Sequence, residues 1–113
     1  MINNAIHIKG YHAHVYYDEQ TFEQAQVLCG QAGELFNVSV GHMHKQAVGP
    51  HPMWSCQLAF KTDLLSEMIP WLSTNRKGLT VFIHGISGND LLDHTDYAVW
   101  MGSIENLDLS IFE

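Results

Sequence analysis

A chain of 113 residues, 46% of them hydrophobic, is long enough for a single domain over 1–113 and too apolar for disorder. Its net charge of -7, with Lys9, Lys45, Lys61, Arg76 and Lys77 forming no patch beyond one adjacent pair, argues against a nucleic-acid partner, which needs clustered cations. No apolar stretch approaches the ~20 residues that cross a bilayer, and the opening MINNAIHIKGYH lacks a secretory leader's apolar block, so no membrane partner and a cytoplasmic location are expected.

Residues 8–17 (IKGYHAHVYY) alternate as a strand, with Tyr11, Ala13, Val15 and Tyr17 on one side and His12, His14 and Tyr16 on the other. A helix is predicted next, opened by a Thr21/Gln24 capping box, striped by Phe22, Ala25, Leu28, Cys29 and Ala32, and ended by a left-handed cap at Gly33. Residues 35–44 (LFNVSVGHMH) read as a second strand, KQAVGPHP (45–52) as a loop, and MWSCQLAF (53–60) as a third strand with Trp54, Cys56, Leu58 and Phe60 toward the core. A second helix from about Thr62 to Lys77 carries the stripe Leu64, Leu65, Met68, Ile69 and Leu72, with a kink expected at Pro70 and a stop at Gly78. LTVFIH (79–84) is a fourth strand. Beyond a Gly/Asp-rich turn, YAVWMG and LDLSIF could add short edge strands. Cys29 and Cys56 lack metal-site spacing and read as buried, reduced thiols.

The order strand, helix, strand, strand, helix, strand predicts an α+β fold: a ferredoxin-like βαββαβ sandwich with an antiparallel sheet, both helices on one face, and a short C-terminal extension. Right-handed crossovers favour the strand order 4-1-3-2. The face away from the helices then carries His12, His14, Tyr16, Ser55, Gln57, Thr80, Phe82 and His84. Such a free face is commonly covered by a second copy, so a homodimer through the open sheet face is expected.

Eight histidines outnumber the five Lys and Arg. Residues two apart on a strand share a face, so His12 and His14 can converge on one metal ion or substrate, and His84 falls in phase on the neighbouring strand. Alternation from Phe36 puts His42 and His44 on the helix side; a bulge at Gly41 would turn them toward His14, or they leave the sheet into solvent. His51, between two prolines, could aim its ring into the same pocket or stay exposed. His94 in NDLLDHTD could be oriented by Asp93 or Asp96, or belong to helix capping alone. Imidazoles with few thiols suit Fe(II), Zn, Cu or Ni. No Gly-rich phosphate loop and no GxSxG elbow is present.

The blocks GYHAHVYYD (10–18), GPHPMWSCQLAF (49–60), PWLSTNRKGL (70–79) and LTVFIHGISGNDLLDHTDYAVWMG (79–102) together make a chain that resembles the DOPA 4,5-dioxygenase family. The resemblance implies a ferredoxin-like fold and a non-haem iron extradiol dioxygenase that cleaves DOPA or a related catechol with O2. By matched position the family's histidines fall on His12, His14, His51, His84 and His94. The chain departs from the family pattern at Gly85, where a proline often stands, and at Tyr97, where a further histidine is frequent. The implied assignment makes His12, His14 and His84 the ligands of Fe(II), for which zinc or nickel could substitute. His51 and His94 become acid/base or substrate-orienting groups, either of which could swap into the ligand set, and Tyr16, Trp54, Gln57 and Phe82 contact the substrate. With no acid in phase on the open face, the ligand set is all imidazole, or takes an Asp from residues 90–96. The competing readings are a non-catalytic dimeric module that binds a metal or small aromatic ligand through its histidines, and a metal-free enzyme using histidine as a base.

Overall fold

The computed structural model describes residues 7–113; the first half of the opening MINNAIHIKGYH, in which no secretory leader is expected, lies outside the described residues. Five strands form one antiparallel sheet in the order β2-β3-β1-β4-β5: β1 Gly10–Tyr17, β2 Ser39–Val40, β3 Trp54–Lys61, β4 Val81–Gly85 and β5 Val99–Met101. The first four follow the order expected from handedness, and β5 extends the sheet beyond β4. No helix among the described residues is long and apolar enough to cross a membrane.

Helices α1 (Phe22–Leu35) and α2 (Leu65–Asn75) pack on one face of the sheet. The buried residues of α1, Ala25, Leu28, Cys29 and Ala32, recur at helical spacing, and Met68 and Leu72 of α2 join them against Val15, Leu58, Val81 and Ile83. Each fully buried aliphatic side chain here contributes roughly 1.5–3 kcal/mol. Cys29 and Cys56 are free thiols buried in this layer.

Several local expectations give way. The entry to α1 is organised by Asp18, whose carboxylate accepts from the backbone N–H of Gln20 and of Thr21, both at 3.0 Å, and from the Thr21 hydroxyl. Gln24 is therefore free of the capping box and donates to the carbonyls of Arg76 and Lys77 at the other helix's end. Gly33 does not end α1, which runs on to Leu35; a Cβ there would sit 2.9 Å from Val40 Cγ2, so the glycine lets β2 approach the helix. The second helix starts as a 3-10 turn, Thr62–Leu64, passes Pro70 without interruption, and leaves through left-handed Lys77 and Gly78 (φ 44° and 89°).

The second strand is far shorter than 35–44. Gly41 N–H donates to Gln57, but two residues along β3, at Ser55, the donor is His44, three residues further on. This extra residue breaks the ladder. It also turns Met43 into the core beside Phe36 and Val38. After β4 comes a short helix, α3 (Asp90–Asp93), capped by the Asn89 side chain accepting from Leu92 N–H. YAVWMG supplies β5 as an edge strand. LDLSIF does not: it holds a 3-10 turn, Leu109–Phe112, nucleated by the Asp108 carboxylate, which accepts from the backbone and hydroxyl of Ser110.

Candidate metal and substrate site

The face of the sheet away from α1 and α2 is built by the pleat of β1 and β4. In register, His12 stands opposite His84, and His14 opposite Phe82 on one side and Gln57 on the other. The rings of His12, His14 and His84 lie 5.1–5.8 Å apart, centroid to centroid. One ring nitrogen from each falls within 4.8 Å of the others. His14 and His84 point their Nε2 atoms at each other across 3.1 Å.

Two further imidazoles arrive from loops. His51 lies over His14 with ring centroids 4.1 Å apart, held by the Tyr16 hydroxyl 2.7 Å from its Nδ1. Its loop is pinned by Asp108 N–H donating to the Pro50 carbonyl. His94 follows α3 and stacks between His84 and Phe112, at 4.3 and 4.4 Å. Phe82 lies beneath, fully buried and stacked on Trp100 at 4.5 Å.

The hydrogen bonds set the tautomers. His84 Nδ1–H donates to the Gly85 carbonyl and His94 Nδ1–H to the Asp90 carbonyl, so both rings keep an Nε2 lone pair. The buried Tyr16 hydroxyl has His51 Nδ1 as its hydrogen-bond partner, so it donates there and leaves His51 with Nε2–H. Burial lowers the pKa of His14 well below the ordinary histidine value and those of His51 and His84 to about 4, with repulsion from the other imidazoles adding to the effect; His12 is lowered too. Burial pushes the Tyr16 phenol up, so it stays protonated. Near pH 7, His12, His14 and His84 thus offer neutral nitrogen donors, the form in which imidazole ligates metals. Two nitrogens 3.1 Å apart must share a proton or a cation, and the donor set therefore fits a metal ion.

The expected site residues divide as follows. His12, His14, His51, His84, His94, Tyr16 and Phe82 come together, and Gln57 sits beside His14 on the same face. Trp54 does not join them. Paired with Tyr17 and packed against the helical layer, it faces the opposite side of the sheet and cannot wall a ligand at the imidazoles. Among the described residues, no carboxylate joins the three-imidazole group. Asp93 turns away from His94: it is buried and accepts from the backbone N–H and hydroxyl of Ser87. Asp96 is exposed.

The slip after Gly41 brings His44 opposite Ser55 on the imidazole side, while His42 stays exposed with its ring 4.9 Å from that of His44. At Gly85 a Cβ would meet Ile8 Cγ2 at 2.9 Å, so close packing accounts for the missing side chain, and Tyr97 lies exposed. Three contributors escaped the sequence reading: Trp100, Phe112 and the Asp93–Ser87 anchor. Trp100 had a signal, since pairing YAVWMG with the fourth strand sets it opposite Phe82. Much of the face expected to need a second copy is closed within one chain, with His14 5%, Phe82 0% and His51 8% exposed.

Fold and site together define an α+β protein with a buried imidazole cluster able to hold a metal ion. More particularly, the chain belongs to the Dopa 4,5-dioxygenase family, whose sequence profile matches residues 11–111. It is 23% identical over 112 residues to DOPA 4,5-dioxygenase of Amanita muscaria, covering 91% of this chain and 49% of that protein. An uncharacterized 21.2 kDa protein of Botryotinia fuckeliana is 29% identical over 114 residues, covering 87% of this chain and 60% of that one. The chain thus spans about half to three-fifths of these curated relatives. A crystal structure of a candidate dioxygenase from Nostoc punctiforme matches with a TM-score of 0.90 and 34% identity, covering 94% of this chain and 92% of that one.

Proposed function

We propose that this chain is a cytoplasmic non-haem iron extradiol dioxygenase that opens the ring of DOPA or a related catechol with O2. The observation that carries the reading is the grouping of His12, His14 and His84, with ligand nitrogens inside 4.8 Å, on the face that His51 and His94 close over. In this reading the three imidazoles hold Fe(II), for which zinc or nickel could substitute. Bound there, ferrous iron would supply the open positions at which a catechol and O2 meet.

The protein's own groups divide the remaining work. His94, with its Nε2 lone pair free, takes a proton from a catechol hydroxyl and returns it later as the acid. His51, held as the Nε2–H tautomer by Tyr16, donates a hydrogen bond to a substrate oxygen and orients it. Phe82 and Tyr16 form an apolar floor that excludes water, and the Gln57 amide offers a polar contact at the rim. The core belongs to the ferredoxin-like class. The homodimer expected through the open sheet face has Ile104, exposed beside His94, as an apolar contact, and sedimentation of the metal-loaded protein measures it.

Anaerobic loading with Fe(II), addition of catechol and then of air tests the function. Oxygen uptake with a new yellow absorbance is expected. Iron uptake without oxygen consumption would replace this reading with a non-catalytic metal-binding module, and turnover surviving chelation would replace it with metal-free histidine catalysis.

A further inference from the structure

We infer that the recess beyond His94 holds the side arm of the substrate, and that Glu105 on its wall selects a protonated amine on that arm. This rests on the proposed catechol-cleaving function and adds to it the charge of the substrate. The recess has a volume of 290 Å³, near the lower end for small-molecule sites, and opens beside His94 and Trp100. Both residues also border the imidazole group: the His94 ring is 4.3 Å from that of His84, and Trp100 stacks on Phe82.

Among the described residues lining the recess, Glu105 is the one Asp, Glu, Lys or Arg; Thr95 and Asn106 are neutral, and the rest are apolar apart from His94. Glu105 is half-buried, and its negative charge reaches the Tyr16 phenol, where it disfavours ionisation. The field of this carboxylate therefore extends to the floor of the histidine site. In a partly desolvated recess a carboxylate attracts an ammonium and repels another carboxylate, and the face of Trp100 adds cation–π attraction. Among the described residues, no Lys or Arg lines the recess to receive an acidic arm. The favoured class is a catechol with an alkylammonium arm, such as 3,4-dihydroxyphenethylamine. An amino-acid arm, which adds a carboxylate, ranks second, and an arm ending in carboxylate alone ranks last.

Calorimetric titration of zinc-loaded protein under nitrogen reads affinity without turnover. At pH 7 the phenethylamine should bind about tenfold more tightly than 3,4-dihydroxyphenylacetate, the effect of one partly screened charge at close range. Glu105→Gln should bring the ratio to about one and Glu105→Lys should invert it, while plain catechol binds all three proteins alike. A wild-type ratio near one, or a ratio that Glu105→Gln leaves unmoved while catechol still binds, overturns the inference. Catechol that fails to bind the wild type overturns the catechol reading itself, and the inference with it.

Discussion

His14 and His84, 70 residues apart in sequence, face each other through Nε2 atoms 3.1 Å apart, with His12 directly opposite His84 in the register. Two neighbouring strands with the same pleat phase bring this about, and no loop is needed to hold it. Removing one ring should therefore remove a ligand without unravelling the sheet. His84→Ala and His12→Ala should each abolish metal retention, a larger effect than the ~10–100-fold expected from losing a supporting partner. His42→Ala, whose ring is outside the group, should leave it unchanged. Elemental analysis after gel filtration checks all three, and full metal content in both site variants would mean a different ligand set.

The same burial makes the metal-free fold sensitive to acid. His51 and His84 have folded pKa values of about 4 against 6.5 for the free side chain. Between those values the unfolded chain binds more protons, so stability rises with pH across this window. The contribution is fully present above about 6.5 and is lost as pH falls toward 4. Chemical denaturation of metal-free protein at pH 7 and pH 4.5 should show a loss of roughly 2–3 kcal/mol from each ring. A His51→Phe, His84→Phe double variant should flatten the slope.

The strands announced most of this site. His12, His14 and Tyr16 share a face by simple alternation, and His84 lands opposite His12 because two antiparallel strands of matching phase leave few registers. Trp54 could have been rejected on the same ground, since Cys56 and Leu58, in phase with it, are core residues. Where the ladder slips, alternation fails: the extra residue after Gly41 packs Met43 against the core and moves His44 to the other side, and no composition signal fixes where such a slip falls. His51 and His94 depend on contacts outside any periodic element, Pro50 with Asp108 and Asp93 with Ser87, so their approach was a possibility in the sequence and becomes a geometry only in the fold.

Asp93 illustrates this. It neighbours His94, yet it fixes that ring only indirectly, by tying the start of the 87–94 segment to its end through two bonds to Ser87. Asp93→Ala would leave the Ser87 N–H and hydroxyl unpaired in a part-buried position, costing about 2–4 kcal/mol. Asp93→Asn, which keeps an acceptor, should recover much of it. Thermal unfolding separates the two. Turnover of Asp93→Ala should fall while His12, His14 and His84 retain the metal, because only the approach of His94 is loosened.

Tyr16 and His51 make the last case. The Tyr16 hydroxyl is buried, its pKa is raised, and it lies 2.7 Å from His51 Nδ1, so its one proton decides which nitrogen of His51 carries the hydrogen. Tyr16→Phe keeps the ring over Trp100 and removes only the oxygen, at a stability cost of about 1 kcal/mol. His51 then loses its tautomer bias, and on the proposed function its Nε2 spends part of its time as a lone pair, unable to donate to a substrate oxygen. The expected result is a kcat reduced about 10-fold or more with KM for catechol nearly unchanged, since positioning matters most as the reaction proceeds. Nitrogen chemical shifts of His51 should move from the Nε2–H pattern toward a mixture. Unaltered shifts together with unaltered turnover would show that the hydroxyl only fills space.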